Sequence, residues 1–191
     1  MNEVECLRMA ILIGSTRQGR FAPVVANWFA GYVQTRNEFV ADMIDLAETA
    51  LPDVLSNSPE PAVEALRPRL AAADAFVVIA PEYNHSFPAP LKTAIDWYSK
   101  EWQARPVAFV SYGGNAGGLR AVEQLRQIFA ELHAVTVRSS VGFAGARELF
   151  DATGQLRNPE RHEKVAGAML DQLAWWAHVL REGRSIRSYP T

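Results

Sequence analysis

The chain has 191 residues, of which 49% are hydrophobic and 21% charged, and its formal net charge at pH 7 is -2. Residues 1–191 are therefore expected to form a single globular domain. The small net charge does not favour nucleic acid as a partner. A membrane is not expected as a partner either, since no apolar run approaches the roughly 20 residues of a spanning helix. MNEVECLRMA lacks the features of a signal peptide and Cys6 is the only cysteine, so we expect a reducing, cytoplasmic location.

Short apolar runs alternate with amphipathic segments along the chain. We predict strands at 8–14, 39–46, 74–80, 106–111 and 134–141, and helices at 21–36, 62–73, 88–102, 116–131 and 160–181. A polar tail, 184–191, is expected on the surface or on a partner subunit. The strand runs are continuously apolar, which is typical of a parallel sheet covered on both faces. Five such strands predict an α/β fold with a doubly wound sheet and helices on both faces.

Ligands of open parallel sheets bind beyond the carboxyl ends of the strands, where the loop GSTRQGR, residues 14–20, follows the first strand. It offers glycines, hydroxyls and two arginines, and Pro23 suits the first turn of the next helix. Backbone N–H groups at a helix N-terminus, together with guanidinium groups, favour a phosphate. The loop matches neither GxxxxGK[ST] nor GxGxxG. The alternative is a solvated loop with two surface arginines.

The loop PEYNHSFPAP, residues 81–90, follows the third strand. Its prolines and turn formers predict a rigid backbone whose polar groups suit the edge of a planar heterocycle. Tyr83, His85 and Phe87 could wall the flat face of such a ring, and His85 could instead be a general acid. We expect this loop to act through its backbone, with the Glu82 side chain facing solvent. The alternative is a structural turn stiffened by proline.

The loop SYGGNAGG, residues 111–118, follows the fourth strand with four glycines in eight residues. Such a backbone can approach a ligand closely, and Tyr112 could stack on a ring. The alternative is a flexible connector. The three loops together suit a ligand with a phosphate at one end and a flat polar ring at the other, which is the shape of flavin mononucleotide (FMN).

Through these three motifs, and through PAPLKTAID, residues 88–96, at the start of the third predicted helix, the sequence resembles the NADPH-dependent FMN reductase family over residues 9–180. The resemblance implies a flavodoxin-like sheet of strand order 2-1-3-4-5. Arg20 stands where relatives often carry a small polar residue. The positions that match the family motifs and would contact FMN are Ser15, Arg17, Arg20, Phe21, Ala22, Pro81, Glu82, Tyr83, Asn84, His85, Ser111, Tyr112, Gly113 and Gly114.

The resemblance implies an enzyme in which NADPH or NADH, as co-substrate, reduces bound FMN and a small acceptor is then reduced. The acceptor could be a flavin, a quinone, an azo compound or a metal oxyanion. The flavin would carry the chemistry, and the sequence shows no triad, paired carboxylates or metal-ligand spacing; His85 is the one candidate proton donor. The alternatives are a flavodoxin-like electron carrier and a redox-sensing FMN-binding protein.

The resemblance also implies a homodimer or homotetramer with FMN near the subunit interface. The predicted helix 88–102 carries Trp97, Tyr98 and Trp102. These aromatic side chains either contribute to such an interface or pack into the core of the chain, and the sequence leaves the two interpretations equal.

Overall fold

Each apolar run becomes a strand of one parallel sheet in the computed structural model, which describes residues 6–190. Neighbouring strands follow the order β2-β1-β3-β4-β5, which confirms the prediction. The strands are β1 Leu7–Ile13, β2 Phe39–Asp45, β3 Ala75–Pro81, β4 Pro106–Gly113 and β5 Val135–Ala144.

The helices connect these strands and cover both faces of the sheet. They are α1 Ala22–Gln34, α2 Pro61–Ala71, α3 Ala89–Asp96, α4 Leu119–Glu131, α5 Ala146–Leu149 and α6 Glu160–Ile186. The short α5 was not predicted, and α6 continues beyond its predicted end at residue 181. No helix within residues 6–190 combines the length and apolar character needed to cross a membrane.

Two terminal predictions fall partly outside the described residues. The expectation that the chain lacks a signal peptide concerns its N-terminal segment, of which residues 1–5 lie outside the described residues. Residue 191 of the polar tail also lies outside them. Residues 184–186 end α6, and residues 187–190 are exposed. The hydroxyl of Tyr189 lies 3.1 Å from Nδ1 of His133. The described part of the tail therefore lies on the surface, as expected.

The core has two layers because side chains of a strand alternate between the two faces of the sheet. In β1, Met9 and Ile11 pack with buried residues of α1 and α6, whereas Ala10 and Leu12 pack with those of α2, α3 and α4. Both faces of the strand are thus buried. This explains the unbroken apolar runs of the sequence.

Helix α3 ends at Asp96, six residues before the predicted end. The indole Nε1 of Trp102 donates to the carbonyl oxygens of Ile95 (3.1 Å) and Tyr98 (2.8 Å). These bonds satisfy carbonyl groups at the end of the helix while the chain turns away. The helical spacing of the apolar residues continues past Asp96, where the helix ends, because Tyr98 and Trp102 are buried from the non-helical segment that follows.

The aromatic residues after α3 belong mostly to the core. Trp102 is fully buried with its ring 4.7 Å from that of Phe76, and the buried hydroxyl of Tyr98 donates to the carbonyl of Val63. Trp97 is partly buried and donates to the carbonyl of Pro52 at 2.9 Å. The interface interpretation is therefore wrong for Tyr98 and Trp102.

The order of the strands fixes where a ligand can bind. From β1 the chain moves to β2 on one side, and it later returns to place β3 on the other side of β1. The loops that leave β1 and β3 consequently diverge and open a crevice at the carboxyl edge of the sheet.

One substitution in the core and one on the surface test this account of the core. We expect Trp102→Ala to lower the free energy of unfolding by about 3–5 kcal/mol, since it leaves a large cavity in a closely packed layer. Val54→Ala is the control, because Val54 is 78% exposed, and its cost should stay within about 0.5 kcal/mol. Urea unfolding of both variants makes the measurement, and equal losses would contradict the placement of Trp102.

Candidate functional site

The loop between β1 and α1 presents backbone donors that no described group uses. Among residues 15–22, only Arg20 donates its backbone N–H to a described residue, the carbonyl of Arg17 at 3.1 Å. Helix α1 starts with Phe21 as N-cap, and no side chain caps it within the described residues. Its positive dipole end and these N–H groups together favour an anion.

The two arginines of this loop are in different situations. Arg17 is exposed and makes no ion pair or hydrogen bond through its side chain with any described residue. Arg20 binds both carboxylate oxygens of Asp45, at 2.5 and 2.6 Å, and also donates to the carbonyl of Ser15 at 2.7 Å. The hydrogen bond to Asp45 raises the pKa of Arg20. Arg17 therefore offers a charge to a ligand, whereas the charge of Arg20 is already neutralised.

The loop after β3 is rigid, as predicted. Tyr83 and Ser86 exchange two backbone hydrogen bonds, of 2.8 and 3.0 Å, and close a tight turn. Its central residues, Asn84 and His85, have φ angles of 49° and 70°, the left-handed conformation of a type I′ turn. Gln124 of α4 holds the turn by donating to the carbonyl of His85 at 2.9 Å. Asn84 and His85 are exposed and lie outside the cavity described below.

Backbone donors at the start of this loop are already used. The N–H of Glu82 donates to the carbonyl of Tyr112, and that of Tyr83 closes the turn with Ser86. The hydroxyl of Tyr83 lies 2.9 Å from Oγ of the buried Ser15, which links the first and second loops. At Glu82 and Tyr83, a ligand can therefore use carbonyl groups or side chains, but not these N–H groups.

The expectation that the Glu82 side chain faces solvent is wrong. Only 7% of this side chain is exposed, and its carboxylate pairs with the guanidinium of Arg120. It also accepts the backbone N–H of Arg120, at 3.2 Å, in the first turn of α4. An acidic group at a helix N-terminus compensates donors that the helix leaves open. Glu82 thus fastens the second loop to α4, a contact across 38 residues that local sequence does not reveal.

Glycine is required where the third loop packs on the strands. Oγ of the buried Ser111 donates to the carbonyl of Gly117 at 2.8 Å. A Cβ on Gly118, at φ +89°, would lie 2.5 Å from Cβ of Ser111, and one on Gly117 would lie 2.9 Å from the backbone N of Ala144. The loop is therefore closely packed rather than a flexible connector. Ser111 stabilises the loop through this hydrogen bond and does not line the cavity.

Tyr112 is the polar residue of the site that lacks a partner. Its ring is buried, 6.2 Å from that of Phe21, and its hydroxyl lies near the Ser15 hydroxyl but makes no hydrogen bond of ordinary geometry with a described residue. Burial raises the pKa of this hydroxyl, so it stays protonated at neutral pH. A buried hydroxyl without a partner is costly, and a ligand in the cavity could supply the missing partner.

A fourth segment belongs to the site and was missed by the sequence reasoning. The N–H of Gly145 donates to the carbonyls of Gly113 and Gly114, at 3.1 and 3.0 Å, and ties the end of β5 to the third loop. The guanidinium of Arg147 lies over the ring of Phe21, 5.4 Å from its centroid. The fifth strand was predicted to end at residue 141, so the turn at Gly145 was not recognised as part of the site. The signal that could have identified this turn is its position directly after a parallel strand.

These segments enclose a cavity of about 380 Å³ at the carboxyl edge of the sheet. It brings together most of the predicted residues, but Ser15, Ala22, Asn84, His85 and Ser111 lie outside its lining. Across residues 6–190, no cluster of His, Cys, Asp and Glu is placed to hold a metal ion. The lining residues are Arg17, Gln18, Gly19, Arg20, Phe21, Pro81, Glu82, Tyr83, Tyr112, Gly113, Gly114, Gly145, Ala146, Arg147 and Glu148.

Comparisons with known proteins agree on one family. Residues 7–148, which include every residue of the cavity lining, match the sequence model of the NADPH-dependent FMN reductases. A probable NADPH:quinone oxidoreductase of Oryza sativa subsp. japonica is 32% identical over 90% of this chain and 89% of its own length. A 2-hydroxy-1,4-benzoquinone reductase of a Burkholderia species is 30% identical over 92% and 98%.

A solved structure shows the same fold. The flavoenzyme FerB of Paracoccus denitrificans, an NAD(P)H:(acceptor) oxidoreductase, aligns with a TM-score of 0.70. The alignment covers 90% of this chain and 97% of FerB at 23% identity. The likeness confirms the flavodoxin-like arrangement of the sheet and its helices.

The role of Glu82 can be tested by its removal. We expect Glu82→Ala to lower the free energy of unfolding by about 1–2 kcal/mol, because α4 loses a capping acceptor and Arg120 its ion pair. Glu123→Ala on the same helix is the control, since its pair with Arg126 is 3.5 Å long and exposed, and should cost less than about 0.5 kcal/mol. Urea unfolding that detects no difference between the two variants would contradict this role.

Proposed function

The chain belongs to the NADPH-dependent FMN reductase family and is an FMN-dependent NAD(P)H oxidoreductase, and from this premise we propose that FMN binds in the described cavity and that the acceptor is a quinone. The observation that carries the site is the cavity itself. It joins unused backbone donors and the unpaired Arg17 to the buried, partnerless hydroxyl of Tyr112. An anion suits the first part and a polar ring edge suits the second.

The phosphate would lie at the first loop. The N–H groups between Ser15 and Ala22, including those at the start of α1, would donate to its oxygens, and Arg17 would add a charge-assisted bond. Ser15 and Ala22 lie outside the cavity lining, so their proposed contribution is the backbone N–H. Arg147, from the segment after β5, adds a second positive charge over the ring of Phe21.

The flavin ring would lie between the second and third loops. Gly113 and Gly114 have no side chains, so the backbone there can approach a flat ring closely. The hydroxyl of Tyr112 can donate one hydrogen bond to a ring oxygen or nitrogen, since it stays protonated. Pro81 and Tyr83 form the facing wall. Asn84 and His85 lie outside this wall, and we propose for them at most a contact with the rim of the ligand.

Bound FMN would supply the redox chemistry, namely transfer of a hydride's two electrons from reduced nicotinamide to an acceptor. The chain supplies position and electrostatics. Its loops hold the cofactor through backbone groups, the neutral Tyr112 keeps a donor inside the cavity, and Arg17 and Arg147 attract anionic groups. His85 is exposed and outside the cavity, which makes it a weak candidate for proton donation.

The proposal of a quinone rests on the relatives. The rice and Burkholderia relatives are both described as reductases of quinones. The family name makes free flavin the second candidate. An electron carrier without its own NAD(P)H turnover is not favoured, because the relatives are oxidoreductases.

Anaerobic addition of NADPH to the FMN-loaded protein tests this function. We expect loss of the flavin absorbance near its visible maximum, and its return when benzoquinone is added. Comparing steady-state kcat/KM for benzoquinone and for free FMN identifies the better acceptor. A flavin that NADPH and NADH both fail to reduce would refute the function, and a higher kcat/KM for free FMN would refute only the quinone assignment.

We further propose that the single FMN-binding domain assembles as a homodimer in the cytoplasm. An exposed apolar stripe on α6 supports an assembly, since Trp175, Val179 and Ile186 fall at helical spacing along one side. The single cysteine supports a reducing compartment. Light scattering of the purified protein would decide between monomer, dimer and tetramer.

Removing Arg17 should distinguish the contribution of the phosphate to binding from that of the flavin ring. We expect Arg17→Ala to weaken FMN binding about ten- to hundredfold, because a charge-assisted hydrogen bond contributes roughly 1.5–3 kcal/mol. Riboflavin, which lacks the phosphate, should bind nearly as before. The control is Arg8→Ala, which removes a charge at the opposite, amino end of β1. Calorimetric titration of the apoprotein with both flavins measures the effect; equal losses would show that this loop does not bind phosphate.

One cavity that serves donor and acceptor in turn should give ping-pong kinetics. Initial rates measured over a matrix of NADPH and benzoquinone concentrations should then produce parallel double-reciprocal lines. Lines that intersect to the left of the ordinate would indicate a ternary complex and contradict the shared cavity.

A further inference from the structure

Arg20 has the contacts of a brace rather than those of a phosphate ligand. Its guanidinium is bidentate to Asp45 at the end of β2, and the same Nη1 donates to the carbonyl of Ser15 at 2.7 Å. Both side chains of the pair are only 16% exposed. Oδ1 of Asp45 also accepts the N–H of Ala47 at 3.0 Å. The carboxylate is therefore held in place, and the arginine is held by it.

The bond to the Ser15 carbonyl fixes the direction of a backbone donor. The described peptide bonds are trans, so the carbonyl of Ser15 and the N–H of Thr16 point in opposite directions across one planar unit. With the carbonyl bound to Arg20, the N–H of Thr16 points away from the Arg20–Asp45 pair. That N–H donates to no described residue, as expected of a donor kept for a ligand.

The electrostatics of the two arginines agree with different roles. A bidentate carboxylate neutralises Arg20, so the pair contributes little net charge to a phosphate in the cavity. Arg17 has no such partner among residues 6–190 and supplies its full charge. A phosphate that recruited Arg20 directly would have to compete with Asp45 for the same donors.

We propose that Arg20 is a positioning residue for the FMN phosphate, which it serves by locking the Ser15–Thr16 peptide while Asp45 holds its guanidinium. This inference rests on the proposed function. It assigns the carboxylate of Asp45, which lies outside the cavity lining, a part in phosphate recognition. Asp45 lies 25 residues from Arg20 in the chain and on the neighbouring strand of the sheet.

Asp45→Asn distinguishes a brace from a direct ligand, because it releases Arg20 from its carboxylate. If Arg20 is a brace, FMN should bind about tenfold more weakly, while riboflavin affinity changes by less than about twofold. If Arg20 were a direct ligand, the released guanidinium would bind FMN equally well or better. Equal weakening of FMN and riboflavin would point to a merely structural ion pair and would also overturn the proposal.

Asp42→Asn is the matched control. Asp42 lies on the same strand, forms a bidentate pair with Arg69, and Arg69 likewise donates to a backbone carbonyl, that of Met43. The affinity of the Asp42→Asn variant for both flavins should equal that of the unsubstituted protein. If Asp42→Asn weakened FMN selectively as well, the effect would reflect lost negative charge on β2 and not the brace.

A second variant keeps the test decisive if Asp45→Asn does not fold. Asp45→Glu retains the charge and moves the carboxylate by one methylene group, so it should also weaken FMN selectively; unchanged FMN affinity would overturn the proposal. FMN binding by the unsubstituted protein distinguishes a failure of the proposed function from a failure of the role proposed for Arg20. If it binds no FMN, the proposed function fails, whereas normal binding with unaltered Asp45 variants refutes the role of Arg20 alone.

Discussion

Burial of the sheet on both faces is the constraint on which the rest of the molecule depends. Every residue of β3 is buried, and helices cover the strand from both sides. Polar functional groups are disfavoured within such a layer, because burying an unpaired polar group there costs free energy. They are confined to the loops at the edge, where the strand order separates the connections after β1 and β3. The cavity lies at that edge for this reason.

The loops are held there by contacts between segments that are distant in the chain. Arg20 bonds to Asp45, Ser15 to Tyr83 and Glu82 to Arg120. The turn at Asn84 and His85 adopts the left-handed backbone conformation, which asparagine tolerates but most other residues with a side chain disfavour, and a bond from α4 holds it. Such strain persists only where the surroundings enforce it. The site is therefore organised before a ligand arrives, which lowers the entropic cost of binding.

The sequence predicts the sheet and three of the four cavity segments because their signals are local. Apolar runs identify buried strands, and loops after parallel strands identify the edge. The partners of Arg20 and Glu82 could not be predicted, since they depend on which segments meet in space; solvent exposure was wrongly expected for Glu82. The end of α3 could not be predicted either, because the apolar spacing of the sequence continues to Trp102 although the helix ends at Asp96.

The turn at Gly145 has a consequence for the order in which the protein is made. Its N–H closes the third loop, and Ala146 and Arg147 complete a cavity whose first wall begins at Arg17. These residues reach their places only when β5 joins the edge of the sheet, and α6, which packs against β5, comes later still in the chain. A nascent chain that has emerged only as far as α4 carries the loops after β1, β3 and β4 but leaves the crevice open. The cavity is therefore completed only late in synthesis, and fragments that stop before residue 145 lack part of its lining.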